Sequence, residues 1–160
     1  MAKPRVYVET SVVGYLTSRP SRDLVKAARQ QITADFWALR GTGFEPLVSG
    51  LVLQEAAMGD PEAARLRLLA CLGIAVLPVS ERVQEVGRML IAQGAVPATE
   101  AQDALHIALA TLAQVDYVVS WNFSHIVGPA AKLRLQRQIE RLGLIPPLIA
   151  TPEELFEELT

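Results

Sequence analysis

The sequence predicts a three-layer α/β/α domain around a mostly parallel sheet, and three observations lead there. Strand-like segments alternate along the chain with helix-like segments of ten or more residues, the signature of strands joined by helical crossovers. No low-complexity linker interrupts that alternation, so residues 1–160 are expected to form a single domain. A chain of 160 residues, 51% of them hydrophobic and 20% charged, can bury a core without disulfides and is no disordered polymer.

The elements follow in order. Arg5-Val-Tyr-Val8 reads as a first strand. From Ser21 to Leu39 the apolar residues Leu24, Val25, Ala28, Ile32, Phe36 and Leu39 recur near a 3.6 period, which predicts a helix stopped by Gly41 and Gly43. Glu45–Ser49 is a second strand, leading into a helix over Leu51–Met58 that Gly59-Asp-Pro61 breaks. Glu62–Leu72 is helical again. Ile74–Val79 is a third strand, and Ser80 caps a helix reaching Gln93. Thr99-Glu-Ala-Gln102 has the capping-box pattern and opens a helix to Ala113. Asp116–Ser120 is a fourth strand, and Pro129 suits the first turn of a helix over Ala130–Leu142. Leu144–Ala150 is a last strand, placed at an edge by Pro146-Pro147. Thr151-Pro-Glu-Glu154 is a further capping box that starts a terminal helix.

Charge and cysteine content narrow the setting. The formal net charge of −2 gives no global basic signature, so attraction to nucleic acid would have to come from local patches. The one cysteine, Cys71, suits a reducing compartment and reads as a small buried hydrophobe. The N-terminus runs into a strand without a signal-peptide core, and the longest nearly apolar run, Leu68–Val79, is too short to span a bilayer. A cytoplasmic protein with no membrane association is expected.

In parallel α/β sheets ligands gather at the carboxyl ends of the strands. Glu9 follows the first strand directly, Glu55 lies in an otherwise apolar helix just past the second, and Asp103 opens a helix that is apolar almost all round. Each alone has an ordinary reading: a capping or paired acid, a solvated helix residue, an acid favoured by the helix dipole. Together they form an oxygen-only set, with no cysteine or histidine cluster, of the kind that binds Mg²⁺ or Mn²⁺ rather than zinc. Clustered acids repel one another unless a cation is present, and a hard divalent ion can also activate water at a phosphodiester.

Tyr7-Val-Glu-Thr-Ser-Val-Val-Gly-Tyr-Leu16, the Glu55 helix, Asp103-Ala-Leu-His-Ile-Ala108 and Ser120-Trp-Asn-Phe-Ser-His-Ile126 together resemble the PIN-domain family. Within it they resemble the VapC-like toxins of type II toxin–antitoxin systems, and the Thr151-Pro-Glu-Glu-Leu155 tail is similar to that of a subgroup. The resemblance implies a PIN-like fold, Mg²⁺- or Mn²⁺-dependent cleavage of RNA, a cognate antitoxin partner and a homodimer. It also implies that Glu9, Glu55 and Asp103 are the metal-binding acids. Asn122 stands where many members carry a fourth acid, and Ser120 matches a nearby hydroxyl residue. Two departures stand out: Glu9 replaces the usual aspartate, reaching one methylene further, and Asn122 brings no charge.

Other residues keep two readings. Thr10 and Ser11 either hydrogen-bond Glu9 or cap the segment after the first strand. His106, three residues after Asp103 on the same helix side, either orients a ligand or is a satisfied structural histidine, and His125 stands similarly near the mouth of the site. Arg19, Arg22, Lys26 and Arg29, and separately Lys132, Arg134, Arg137 and Arg141, are either solvated helix faces or phosphate contacts. Phe36, Trp37 and Trp121 are expected in the core rather than as base-stacking platforms, and the acidic tail Glu153, Glu154, Glu157 and Glu158 is expected to face away from RNA. Function divides accordingly between a metal-dependent endoribonuclease and a PIN-like RNA- or protein-binding module with weak or no chemistry. A receiver-like phosphoacceptor ranks last, because the lysines here are Lys3, Lys26 and Lys132 and none follows a late strand.

Overall fold

Residues 2–160 are described by a computed structural model. Five strands form one sheet in the order β3-β2-β1-β4-β5, and every neighbouring pair is parallel. They are β1 (Arg5–Val8), β2 (Glu45–Ser49), β3 (Ala75–Leu77), β4 (Tyr117–Val119) and β5 (Leu148–Ala150). The expected α/β/α class is the one observed. Val6, Tyr7 and Val8 of the central strand are fully buried, as a parallel strand covered on both faces requires.

Among the described residues eight α-helices connect and cover the strands: α1 (Thr10–Thr17), α2 (Leu24–Ala38), α3 (Gly50–Ala56), α4 (Pro61–Ala70), α5 (Glu81–Ala92), α6 (Ala101–Leu112), α7 (Pro129–Arg141) and α8 (Pro152–Leu159). α5 packs on α6 and α7, and α2 packs on α1 and α8. Short polar side chains start most of them. Asp23, Ser49, Asp60 and Ser80 each accept a backbone N–H from the first turn of the helix they precede. Thr151 and Glu154 complete the expected capping box of α8.

Five differences from the expected elements have local causes. α1 carries no strong helical pattern, with β-branched Val12 and Val13 beside Gly14; it is started by the Glu9 side chain and held by burial of the two valines. α2 begins at Leu24 rather than Ser21, because Asp23 is its cap and Ser21 instead accepts the N–H of Asp23 at 3.1 Å. The Thr99 capping box does not form. A 3₁₀ turn over Ala98–Glu100 precedes α6, whose cap residue Glu100 makes no side-chain bond to the helix. The third strand shrinks to Ala75–Leu77, with Pro78 ending it. The last strand, β5, lies at the sheet edge as expected but begins at Leu148 rather than Leu144, because Pro146-Pro147 has no N–H to give a ladder.

The strand order reverses direction about β1, with β2 on one side and β4 on the other, and beyond the carboxyl ends of strands at such a switch point is where parallel α/β sheets bind ligands. Tyr7 pairs with Leu47 and Val118, and the ladder continues through the N–H of Glu9 bonded to the Val119 carbonyl at 3.1 Å. Glu9 and Ser120 are therefore brought side by side by sheet register. Among the described residues no helix is long and apolar enough to cross a membrane.

Candidate active site

Glu9 directly follows β1 and caps α1, and the residue is 6% exposed. It accepts the N–H of Ser11 at 2.8 Å, the hydroxyl of Ser11 at 2.6 Å and the hydroxyl of Ser120. Each hydroxyl is itself fixed from the far strand end: Ser11 Oγ accepts the N–H of Trp121, and Ser120 Oγ that of Asn122, both at 2.9 Å. Two backbone donors after β4 are thus relayed through two serines onto one buried carboxylate, which meets the cost of burying it.

Glu55 projects from α3. Its Oε1 accepts the Thr10 hydroxyl at 2.7 Å and faces His106 Nε2 at 2.6 Å. Thr10 therefore serves Glu55 and Ser11 serves Glu9. His106, on α6 and 1% exposed, has its other nitrogen 2.6 Å from the Tyr7 hydroxyl, which lies 2.9 Å from Ser49 Oγ. Ser49 Oγ accepts the N–H of Val52 at 3.1 Å. One assignment pairs every buried proton in this chain: Ser49 donates to Tyr7, Tyr7 to His106 Nδ1, and His106 Nε2–H to Glu55. Burial raises the Tyr7 pKa, so the phenol keeps the proton it donates. Burial also pushes Glu55 upward, but the hydrogen bonds from His106 and Thr10 outweigh it and hold the carboxyl below its ordinary value.

Asp103 lies half-buried in the first turn of α6, 3.0 Å from His125 Nδ1. Burial raises its pKa, and the negative charge of Glu9 adds to the rise, while hydrogen bonding from Asn122 and the proximity of His125 offset part of it. The two acids therefore share one electrostatic site. Asn122 does not stand free toward it: its Oδ1 accepts the N–H of His125 at 3.1 Å and caps a π-helical turn over Phe123–Val127. That turn closes through Gly128 N–H on the Phe123 carbonyl, and a Cβ at Gly128 would lie 2.2 Å from the same oxygen. Glycine is what lets the loop carrying Asn122 and His125 fold back.

Among the described residues, the group whose ligand atoms lie within 4.8 Å of one another is Glu100, Asp103 and His125. Glu9 and Glu55 fall outside it, each held by its own hydrogen bonds. Sequence reasoning passed over Glu100, reading it as part of a capping box. The available signal was its i, i+3 spacing to Asp103. His125, expected near the mouth of the site, is set on Asp103. His106, expected beside Asp103, instead reaches across to Glu55.

Of the basic residues, Arg29 lies over Phe123 and Trp121, at 4.8 and 5.3 Å from the ring centroids. Trp121 is buried and donates to Thr33, and Phe36 and Trp37 are core residues, as expected. Lys132 of the late helix pairs with Glu154 at 3.2 Å.

Fold and sheet order define a PIN-like α/β/α domain with one acid, Glu9, at the end of its central strand and two, Glu55 and Asp103, on the helices α3 and α6. Among solved structures it is similar to Mycobacterium tuberculosis VapC20, a Sarcin-Ricin loop cleaving toxin, with a TM-score of 0.58 over 74% of this chain and 91% of that one, at 16% identity. It is also similar to a chain of VapBC2 from Rickettsia felis, solved bound to a DNA fragment from their promoter, with a TM-score of 0.58 over 92% of this chain and 98% of that one, at 13% identity. These likenesses are of fold. The sequence matches no family model and no curated protein sequence.

Proposed function

We propose that this chain, acting as one PIN-like unit, is a divalent-metal-dependent endoribonuclease and the toxin of a type II toxin–antitoxin pair. The observation that carries the reading is the pair of mutually repelling acids, buried Glu9 and half-buried Asp103, set near the point where the strand order reverses. An acid kept in such a place against burial and like charge is what a cation-binding centre requires. The donor set fits a hard ion: Glu9, Glu55 and Asp103 offer carboxylate oxygens, and Glu55 Oε2 takes no part in the bonds to Thr10 and His106. Mg²⁺ or Mn²⁺ bound there would supply positive charge to a phosphodiester and lower the pKa of an attacking water. The chain's own part is orientation. Ser11 and Ser120 fix Glu9, Thr10 and His106 fix Glu55, and Asn122 and His125 fix Asp103.

RNA cleavage measured with and without Mn²⁺, in wild type and Asp103→Asn, tests the reading. Metal-dependent cleavage that the variant loses supports it, and equal rates in both proteins remove Asp103 from the site. A second reading, an RNA- or protein-binding module with little chemistry, draws on Asn122, whose amide oxygen is committed to its own loop and adds no charge. RNA binding without cleavage in Mn²⁺ would favour it.

The likeness to a chain of a VapBC complex supports an antitoxin partner. A cytoplasmic homodimer is proposed with it, supported by the exposed apolar side chains Leu66, Leu69 and Leu72 on and after α4 and Val76 on edge strand β3. Light scattering at micromolar concentration should show a dimer that Leu69→Glu, Leu72→Glu weakens. A monomer throughout that range would remove this part.

A further inference from the structure

An open groove of about 490 Å³ runs between α1 and the start of α2. Ser11, which holds the Glu9 carboxylate, lines it together with the exposed cations Arg19 and Lys26. In a chain of net charge −2, a cationic groove adjoining an acidic centre is a local reversal of sign. The connection that carries Arg19 is built, not loose. Gln30 donates to Ser18 Oγ and to the Arg19 carbonyl at 2.8 Å each, and accepts the N–H of Ser21 at 2.9 Å.

Gly14 supplies an independent observation. It sits inside α1, where glycine weakens a helix relative to alanine, yet a Cβ there would meet no atom within 4 Å. Nothing in the protein's own packing uses the space. What the missing side chain keeps open is the groove it lines. Beside it stands the half-buried ring of Tyr15, braced 5.7 Å from Trp121.

We propose that this groove seats the nucleotide flanking the scissile phosphate of a single-stranded RNA. Its base lies against Tyr15 along the bare Gly14 face, and its phosphates face Arg19 and Lys26. The proposal rests on the ribonuclease reading and names the form of RNA that reading leaves open. A volume of this order takes one nucleoside-sized group and not a duplex. An aromatic wall can hold a base only when the base has left its own stack, and paired cations meet the backbone without regard to sequence.

Binding of a short fluorescein-labelled single-stranded oligoribonucleotide in EDTA, followed by anisotropy over a range of salt, tests this. Arg19→Ala, Lys26→Ala should bind roughly tenfold more weakly, and its plot of log affinity against log salt should be flatter by about 1.4, two phosphate contacts at ~0.7 each. Gly14→Leu should also bind about tenfold more weakly, within the range for loss of one stacked base, with an unchanged salt slope and a melting temperature no lower than wild type. Wild-type binding by either variant overturns the proposal, as does failure of the wild type to bind the strand or equal affinity for a duplex of the same sequence. The same proteins assayed for cleavage in Mn²⁺ separate the two readings. Cleavage by wild type with binding unaltered in both variants removes the groove and leaves the nuclease. Binding that follows the expected pattern without cleavage keeps the groove and removes the nuclease.

Discussion

Asp103 carries its raised pKa because burial, and then the charge of Glu9, penalise its anion. A carboxyl whose folded pKa exceeds its unfolded value binds extra protons in the folded state, so it costs stability once the pH rises through the unfolded value toward the folded one. Asp103→Asn should therefore raise the melting temperature of the metal-free protein at neutral pH, with the gain shrinking as the pH falls below the ordinary carboxylate range. Melting curves across that interval check it, and a gain that grows toward low pH would show the sign to be wrong. Glu55 works in the opposite sense: its lowered pKa contributes stability above the unfolded value that is lost as pH falls through the folded one. Tyr7 tests the relay behind Glu55. Tyr7→Phe keeps the ring and removes the hydroxyl, leaving His106 Nδ1 without a donor and the Ser49 O–H without an acceptor in a buried place. Urea denaturation should show a loss of about 1–3 kcal/mol. Mn²⁺ affinity should fall ~10–100-fold if a freely turning His106 no longer orients Glu55. Loss of stability with unchanged affinity would confine the relay to packing.

At the scale of elements, the two glycines of the site region make opposite forecasts. A Cβ at Gly128 meets the Phe123 carbonyl carbon and oxygen, which are backbone and cannot swing aside, whereas one at Gly14 meets nothing. Gly128→Ala should cost roughly 1–3 kcal/mol by strain and reduce cleavage by displacing Asn122 and His125. Gly14→Ala should be neutral or stabilising by up to ~1 kcal/mol. Equal melting temperatures for the two variants would show that the π-helical turn is not pinned at Gly128. The same contrast marks what a sequence can reveal. β1, β2 and the edge place of β5 were legible because composition and proline decide them locally. α1 was not, since Val12, Val13 and Gly14 oppose a helix and only the Glu9 cap and burial impose one. The acids at the strand ends could be picked out one by one. Ser120 and His106 could be named as well, but not the acid that each serves, because Ser120 stands 111 residues from Glu9 and His106 51 from Glu55. The capping-box reading of Thr99 failed because a 3₁₀ turn supplies the local bonds instead.

For the molecule as a whole, a bound ion should appear as stability, because the site that would hold it exists only when β1, β4, α3 and α6 are assembled. A ligand confined to the native state contributes about 2.7 kcal/mol at a hundred times its dissociation constant. In a protein of this size each kilocalorie shifts the melting temperature by roughly 2–4 °C. Mn²⁺ or Mg²⁺ should therefore raise it by ~5–10 °C over Na⁺ of matched ionic strength. Two sets of side chains compete to explain such a rise, and Asp103 belongs to both. Glu9, Glu55 and Asp103 offer oxygen alone, which suits Mg²⁺ and Mn²⁺, while Glu100, Asp103 and His125 add a nitrogen that Ni²⁺ or Zn²⁺ prefers. Loss of the Mg²⁺ response in Glu9→Gln and in Glu55→Gln, but not in Glu100→Gln or His125→Ala, assigns the ion to the site at the strand ends. The reverse pattern, with Ni²⁺ stabilising more than Mg²⁺, would move it to the mouth of α6 and leave Glu9 as a helix cap held by two serines.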